Sequence, residues 1–253
     1  MRDKFISILK QWPFIHRFVK VCYWKIRSYQ EILLGTEIQE KYWQKRHLLK
    51  KGDWQENEDW VMGYWDSKVH PHRRFLIERI FRYSPLSILE VGSNCGPNLY
   101  LLAKRNPQLK LVGIDINAKA IRVGKRLFGQ EGISNVELLV GKTNALHQIS
   151  DKSFDIVFTD AVLMYVGPDK IKKVVKEMFR ISRKALIFLE WHENSEKDPK
   201  GLGIYHFGHW KRNHINLLKE FVRENQIHIE KIPEELWPGK YWNQLGYIIE
   251  VIL

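Results

Sequence analysis

The sequence predicts an α/β fold: a mostly parallel, seven-stranded sheet with an antiparallel C-terminal strand, plus a helical N-terminal extension. Three observations predict it. From Ser87 onward, short apolar runs alternate with amphipathic segments, as strands do when crossover helices join them. The last two apolar runs, IHIEKI and LGYIIEVIL, show no helical pattern between them, which points to an antiparallel pair. Up to about Arg82, by contrast, apolar residues recur at helical intervals. We therefore divide the chain into a helical extension or cap, residues 1–82, and a sheet domain, residues 83–253.

The elements follow in order. Phe5, Ile8, Leu9 and Trp12 fall at helical spacing, and Pro13 interrupts them and can open a new helix. Ile15, Phe18, Val19, Cys22 and Ile26 then form one stripe, with Arg17, Lys20 and Arg27 opposite. Such a helix either lies in a membrane interface or packs on its own domain or on a second subunit. Pro71 marks a helix start, and Phe75, Leu76, Ile80 and Phe81 supply its apolar face. SILEV, KLVGID, NVELLV, FDIVFTD and ALIFLEW read as the first five strands. The segment after Pro97, NAKAIRVGKRLF and PDKIKKVVKEMFRIS read as helices between them. A last helix is expected around Asn213 to Arg223, before the closing pair of strands.

Composition narrows the class. The 253 residues, 44% of them hydrophobic, can bury one large core, alone or with an added segment. Cys22 and Cys95 make neither a disulfide framework nor a zinc spacing. No apolar run approaches the roughly 20 residues that span a bilayer, and polar residues break up any secretory leader. We read the chain as cytoplasmic. The net charge of +12 is uneven: Arg2, Lys4, Lys10, Arg17, Lys20, Lys25 and Arg27 face only Asp3 within the first thirty residues. A basic surface attracts nucleic acid, anionic headgroups or phosphorylated substrates alike. The helix suits peripheral contact with the inner face of a membrane.

The chemistry concentrates in SILEVGSNCGPNLYLLA, where a strand meets a helix through a turn bracketed by Gly92 and Gly96. In wound α/β sheets, ligands bind at such turns, against the free N–H groups of the next helix. Asn94 fills a slot that often holds glycine, and Asn tolerates positive φ better than other non-glycine residues. Glu90, two residues before Gly92, would repel a pyrophosphate but suits an ammonium or sulfonium. Asp115 ends the second strand about 20 residues on, where a carboxylate bonds ribose hydroxyls. A carboxylate there can also simply cap the next helix.

With ILEVGSNCGPN, LVGIDI, FDIVFTDAVLMYV and the closing strand pair, residues 87–253 resemble the class I S-adenosylmethionine-dependent methyltransferases. The resemblance implies a Rossmann-like sheet whose strand seven is antiparallel and inserted between strands five and six. It implies S-adenosyl-L-methionine as cofactor, with Gly92, Ser93, Asn94 and Gly96 lining its methionine part. Asp115 would bind ribose and Ile116 would touch adenine. Lys142 departs from the pattern, standing where the family often has an acid near the adenine amine; Thr143 or Asn144 would supply a substitute bond. Asp160 and Tyr165 would face the cleft, and Arg73, in HPHRR, would meet the cofactor carboxylate. His70 or His72 would face substrate, and Trp60, Tyr64 and Trp65 form a lid or belong to the core.

In-line transfer to a hydroxyl needs alignment and a base, most often histidine. His192, just past the fifth strand beside Glu190, and His206 and His209, in a loop before the last helix, are the catalytic candidates. No tight ligand spacing supports a metal. The leading expectation is O-methylation of a small-molecule, glycan or lipid-linked acceptor. The alternatives are an RNA methyltransferase, an NAD-dependent oxidoreductase and a catalytically inactive methyltransferase fold used as a binding protein. The loop after the fourth strand lacks the Asn/Asp-Pro-Pro-aromatic motif of amino-directed DNA methyltransferases.

Overall fold

The computed structural model describes residues 35–48, 58–206 and 208–253, with helical positions scattered between 15 and 33. The expected stripe at Phe5, Ile8, Leu9 and Trp12 and the basic positions Arg17, Lys20 and Arg27 lie outside the described residues. Within residues 35–86, the described residues include the helices α1 (Thr36–Gln44), α2 (Glu58–Asp66) and α3 (Pro71–Phe81) ahead of the sheet. Pro71 occupies the first turn of α3, where its fixed φ is already helical and its missing N–H costs nothing.

The sheet strands are β1 (Ser87–Val91), β2 (Lys110–Asp115), β3 (Val136–Val140), β4 (Phe154–Asp160) and β5 (Ser182–Trp191). Helices α4 (Pro97–Arg105), α5 (Ala118–Gln130) and α6 (Ile171–Ile181) follow β1, β2 and β4. Then come a hairpin, β6 (Ile204–His206) and β7 (His209–Lys211), a short α7 (His214–Leu218), and β8 (Ile227–Lys231). The chain closes with α8 (Lys240–Leu245) and β9 (Gly246–Ile252).

The seven strands order as β3-β2-β1-β4-β5-β9-β8. Strands β1 to β5 pair in parallel, and β9 runs against both β5 and β8. The reversed strand thus sits between the fifth and sixth, as the resemblance implies. The central strands are buried on both faces, which is why they read as near-continuous apolar runs. Successive residues point to opposite cores. Ile88 joins Leu76, Ile80, Leu99 and Leu102 on one face, and Leu89 joins Val174, Val175, Met178 and Leu217 on the other.

Three local expectations need correction. The segment carrying His206 and His209 is a hairpin rather than an open loop: β6 and β7 pair antiparallel, and Gly208 between them takes φ 87°. The last helix stops at Leu218 instead of Arg223, because the chain turns there and stacks Phe221 on Phe179. A short helix, α8, does separate β8 from β9, and it packs against β5 and β9 with Trp242 stacked on Trp237. The antiparallel pairing survives because a helix of six residues does not cross the sheet.

Candidate active site

The turn after β1 is knitted to the end of β2. Both Gly92 and Ser93 donate their N–H to the Ile114 carbonyl, at 2.7 and 3.1 Å. Asn94 donates its N–H to Asp115 Oδ2 at 2.8 Å, and Asn117 donates to Oδ1 at 2.7 Å. Gly92 and Gly96 take φ of 82° and 89°, and Asn94 takes 52°, the left-handed region for which Asn is suited. A Cβ on Gly92 would sit 2.3 Å from Val162 Cγ2, so this backbone is pressed against the loop after β4. Burial pushes the Asp115 carboxyl up to about 6, against the two N–H donors that favour its charge.

Beside the turn, helices α3 and α4 converge on Asp160, the last residue of β4. Arg73 Nη1 from α3 donates to its Oδ2 at 2.9 Å, Asn98 Nδ2 from α4 at 3.0 Å, and His72 Nε2 lies 3.2 Å away. Burial alone would raise this carboxyl, but His72, Arg73 and Asn98 hold it well below the ordinary range. Asp160 is therefore ionised. Glu90 behaves oppositely: it lies one layer behind the cavity wall, bonded to Asn98 Nδ2 at 2.7 Å, and burial raises it well above the usual range. The charge that would attract a cation at this turn is thus on Asp160. Three buried atoms have no partner here: Asp160 Oδ1, Glu90 Oε2 and Ser93 Oγ. Asp160 Oδ1 fits a ligand bearing an ammonium group, whose N–H donors would satisfy it.

A cavity of about 480 Å³ opens over these groups, within the range of small-molecule sites. Of the expected cofactor residues, Arg73, Gly92, Asn94, Asp115, Ile116, Thr143 and Asp160 line it. Glu90, Ser93, Gly96 and Asn144 do not reach its surface. Gly96 instead lets Phe128 approach the backbone, where a Cβ would stand 2.8 Å from the ring. Among the catalytic candidates His209 alone lines the cavity, between Tyr165 and Trp191 at ring distances of 5.1 and 4.6 Å. His192 is buried away from it, accepting the His214 N–H at Nδ1, and burial lowers it to about 4. His206 sits opposite His209 in the hairpin but off the cavity wall.

Several lining groups carried no signal in the sequence. Trp237 and Trp242 stack with ring centroids 3.7 Å apart, and His72 stacks on Trp237 at 3.9 Å. Helix α1 closes the opposite side, with Trp43 edge-on to Tyr165 at 4.8 Å. That helix is pinned at three places. Thr36 donates its N–H and Oγ1 to Asp169 Oδ1, Gln39 Nε2 reaches the Gly208 carbonyl, and Glu40 bridges Lys142 and Lys170. These partners lie over a hundred residues away in sequence, which periodicity cannot show.

A family model described as a methyltransferase domain matches residues 84–238. Trans-aconitate 2-methyltransferase of Rhodopseudomonas palustris is 23% identical over 146 residues, 57% of this chain and 52% of that protein. The human tRNA N(3)-cytidine methyltransferase METTL6 is 26% identical over 117 residues, 45% of this chain and 41% of that one. The chain spans about half the length of such curated relatives. Among solved structures, the plantazolicin methyltransferase BamL, in complex with a triazolic desmethylPZN analog and SAH, superposes with a TM-score of 0.57. It is 15% identical, over 86% of this chain and 94% of its own. The N-terminal domain of EvdMO1 with SAH bound gives 0.54 at 15% identity, covering 71% of this chain and 80% of its own. At these identities the superpositions speak for the fold.

Proposed function

Because the chain belongs to the methyltransferase-domain family, we propose that it methylates an oxygen of a small-molecule, glycan or lipid-linked acceptor. The donor is S-adenosyl-L-methionine, which when bound supplies an activated methyl group on a sulfonium. One observation carries the reading. The ionised Asp160 with its unpartnered Oδ1, the Gly92 turn and Asp115 share one cavity with a wall of tryptophans and imidazoles. The first three suit an amino-acid ammonium and a ribose diol; the wall suits a ring-bearing acceptor with a hydroxyl to deprotonate.

The residues divide the work. Asp160 and the turn at Gly92 and Asn94 hold the amino-acid end, with Arg73 fixing the carboxylate's position. Asp115 takes the ribose, while Ile116 and Thr143 border the base. Glu90 acts indirectly, by orienting Asn98 against Asp160. The two cations lining the cavity, Arg73 and Lys142, are each paired with a carboxylate, which favours an uncharged acceptor over a phosphate backbone. Calorimetry with S-adenosylhomocysteine and NAD side by side tests the assignment: micromolar binding of the first alone supports it, and binding of NAD alone defeats it.

Peripheral membrane contact belongs to the same proposal. Ile15, Phe18, Val19, Ile26, Tyr29 and Leu33 are exposed at helical spacing. The sequence around them is strongly basic. An anionic bilayer surface answers both features, apolar side chains entering the interface and lysines meeting headgroups.

A further inference from the structure

Resting on the methyl-transfer reading above, we propose that His70 is the proton acceptor of the reaction, with His72 and Asp160 as positioning residues that fix its tautomer. The ionised carboxylate of Asp160 can only accept. His72 Nε2, 3.2 Å away, must therefore carry the proton of that contact, leaving its Nδ1 as a lone pair. His72 Nδ1 lies 2.5 Å from His70 Nδ1, a distance that requires one proton between the two nitrogens. Since His72 has already placed its proton on Nε2, His70 is the donor. In neutral His70 the remaining nitrogen, Nε2, is then an unprotonated lone pair. Among the described residues, none bonds to it.

The chain of contacts is held rigidly. His72 is buried and stacked on Trp237, with ring planes 22° apart, so its two nitrogens keep their directions. Pro71 forces the preceding residue into extended backbone, and His70 shows φ −65° and ψ 132° there. His70 is half-buried where it lines the cavity. Its imidazole can thus meet an acceptor and afterwards lose its proton to water. His209 lies instead within an aromatic wall, between Tyr165 and Trp191.

The charges around the pair keep it neutral before reaction. Burial lowers both imidazoles; for His70 the neighbouring His72 and Arg73 lower it further, and Asp160 opposes them. From the packed elements, Asp160 comes from β4, Glu90 from β1, Tyr64 from α2 and Arg73 from α3 itself. Glu90 is held neutral by burial, and burial likewise keeps the Tyr64 phenol protonated, so Arg73 and Asp160 are the operative charges. They offset one another at 2.9 Å.

The step balances. The acceptor's O–H proton moves to His70 Nε2 and an oxygen lone pair forms the bond to the methyl carbon. The electron pair of the broken sulfur–carbon bond stays on sulfur, turning sulfonium into thioether. The imidazolium so formed keeps its Nδ1–H on His72, which relays to the carboxylate of Asp160.

The test is a tautomer measurement on the whole protein, labelled with 15N-histidine and saturated with S-adenosylhomocysteine. Long-range 1H–15N correlations should show His70 protonated at Nδ1 with a free Nε2, and His72 protonated at Nε2. In His72→Ala, His70 should revert to the tautomer that free imidazole favours, while the His209 signals stay in place. A wild-type His70 protonated at Nε2, or one unchanged in His72→Ala, overturns the proposal. With 4-methylumbelliferone as the probe acceptor, His70→Gln should lower kcat about 100-fold while S-adenosylhomocysteine affinity holds. Retention of the rate within about threefold counts against the base role. Failure of S-adenosylhomocysteine to bind the wild type sinks the methyl-transfer reading instead and leaves the tautomer result standing.

Discussion

Glu190 and Arg212 hold the same loop, the one after β4, by its opposite polar groups. Glu190 accepts the N–H groups of Val162, Leu163 and Met164 at 2.8 to 3.2 Å. Arg212 donates to the carbonyls of Leu163 and Val166 at 2.7 and 2.5 Å. The loop presents Val162 to Gly92 and Tyr165 to the cavity, so this pair sets the distance between the Gly92 turn and the aromatic wall of the cavity.

Arg212→Leu should therefore unfold early. Arg212 is fully buried, and burial lowers its pKa only to about 10, so it remains charged at neutral pH. Removing it orphans the carbonyls of Val166 and Leu202 and takes one of two donors from that of Leu163, at a cost of about 3 kcal/mol. At this chain length that is a Tm lowered by about 10 °C in a thermal melt. Arg212→Lys should recover little, since an ammonium cannot fork to several carbonyls in fixed directions. A melt within about 2 °C of wild type would contradict the clamp.

How much of this was legible beforehand follows from the range of each interaction. The strands announce themselves because burial on both faces demands unbroken apolar runs such as FDIVFTD. Asp115 could be placed from spacing alone, because strand, turn and helix lengths fix where β2 ends. Asn94 could be accepted in the turn because its φ of 52° is a local property of Asn. The histidines could not be ranked. Whether His192 or His209 reaches the cavity depends on how β5 and the hairpin pack, and one is buried while the other is not. Trp237 and Glu40 were invisible for the same reason: each acquires its role only from partners remote in sequence.

The ribose-binding role proposed for Asp115 predicts that donor affinity depends on pH. Ribose hydroxyls donate to an ionised carboxylate, and this one protonates as pH falls through about 6. Affinity for S-adenosylhomocysteine should be level from pH 7 to 8 and decline below 6, by at most about tenfold per unit. The folded pKa is raised from 3.8, so the group's own contribution to stability runs the other way. That contribution is complete below 3.8 and is lost as pH rises through about 6. Calorimetry between pH 5 and 8 reads the first trend and melts of the ligand-free protein read the second. Asp115→Asn should bind weakly at every pH and flatten both curves.

The exposed apolar face near the N-terminus predicts selective lipid binding. The protein should float with vesicles of phosphatidylcholine and phosphatidylglycerol and remain in solution with phosphatidylcholine alone. Each lysine or arginine near an anionic surface contributes about 1 kcal/mol, so two engaged residues give a contrast of roughly 30-fold. Phe18→Glu combined with Ile26→Glu places charge on exposed apolar positions and should abolish flotation without lowering Tm. Equal binding to both vesicle types would exclude the electrostatic half of the idea, and no binding to either would exclude all of it.

Glu40 predicts that α1 opens to admit the donor. Its carboxylate, 10% exposed, holds Lys142 Nζ at 2.9 Å and Lys170 Nζ at 2.7 Å, tying α1 to the segment after β3 and to the segment before α6. Lys142 stands where the resemblance leads one to expect an acid, and Glu40 returns a carboxylate to that side of the cavity from the cap. Both lysines are more than a third exposed, so each pair contributes about 0.5 to 1 kcal/mol after screening. Losing both in Glu40→Gln should favour the open cap by roughly 5- to 30-fold. Amide hydrogen exchange across residues 36–44 should quicken by that factor while β1, β4 and β5 stay protected, because those strands owe nothing to the cap. Donor affinity should fall in proportion, since a ligand that binds under a closed cap must close it first. A Glu40→Gln protein with faster exchange and undiminished affinity would show that α1 covers the cavity without gripping what lies in it.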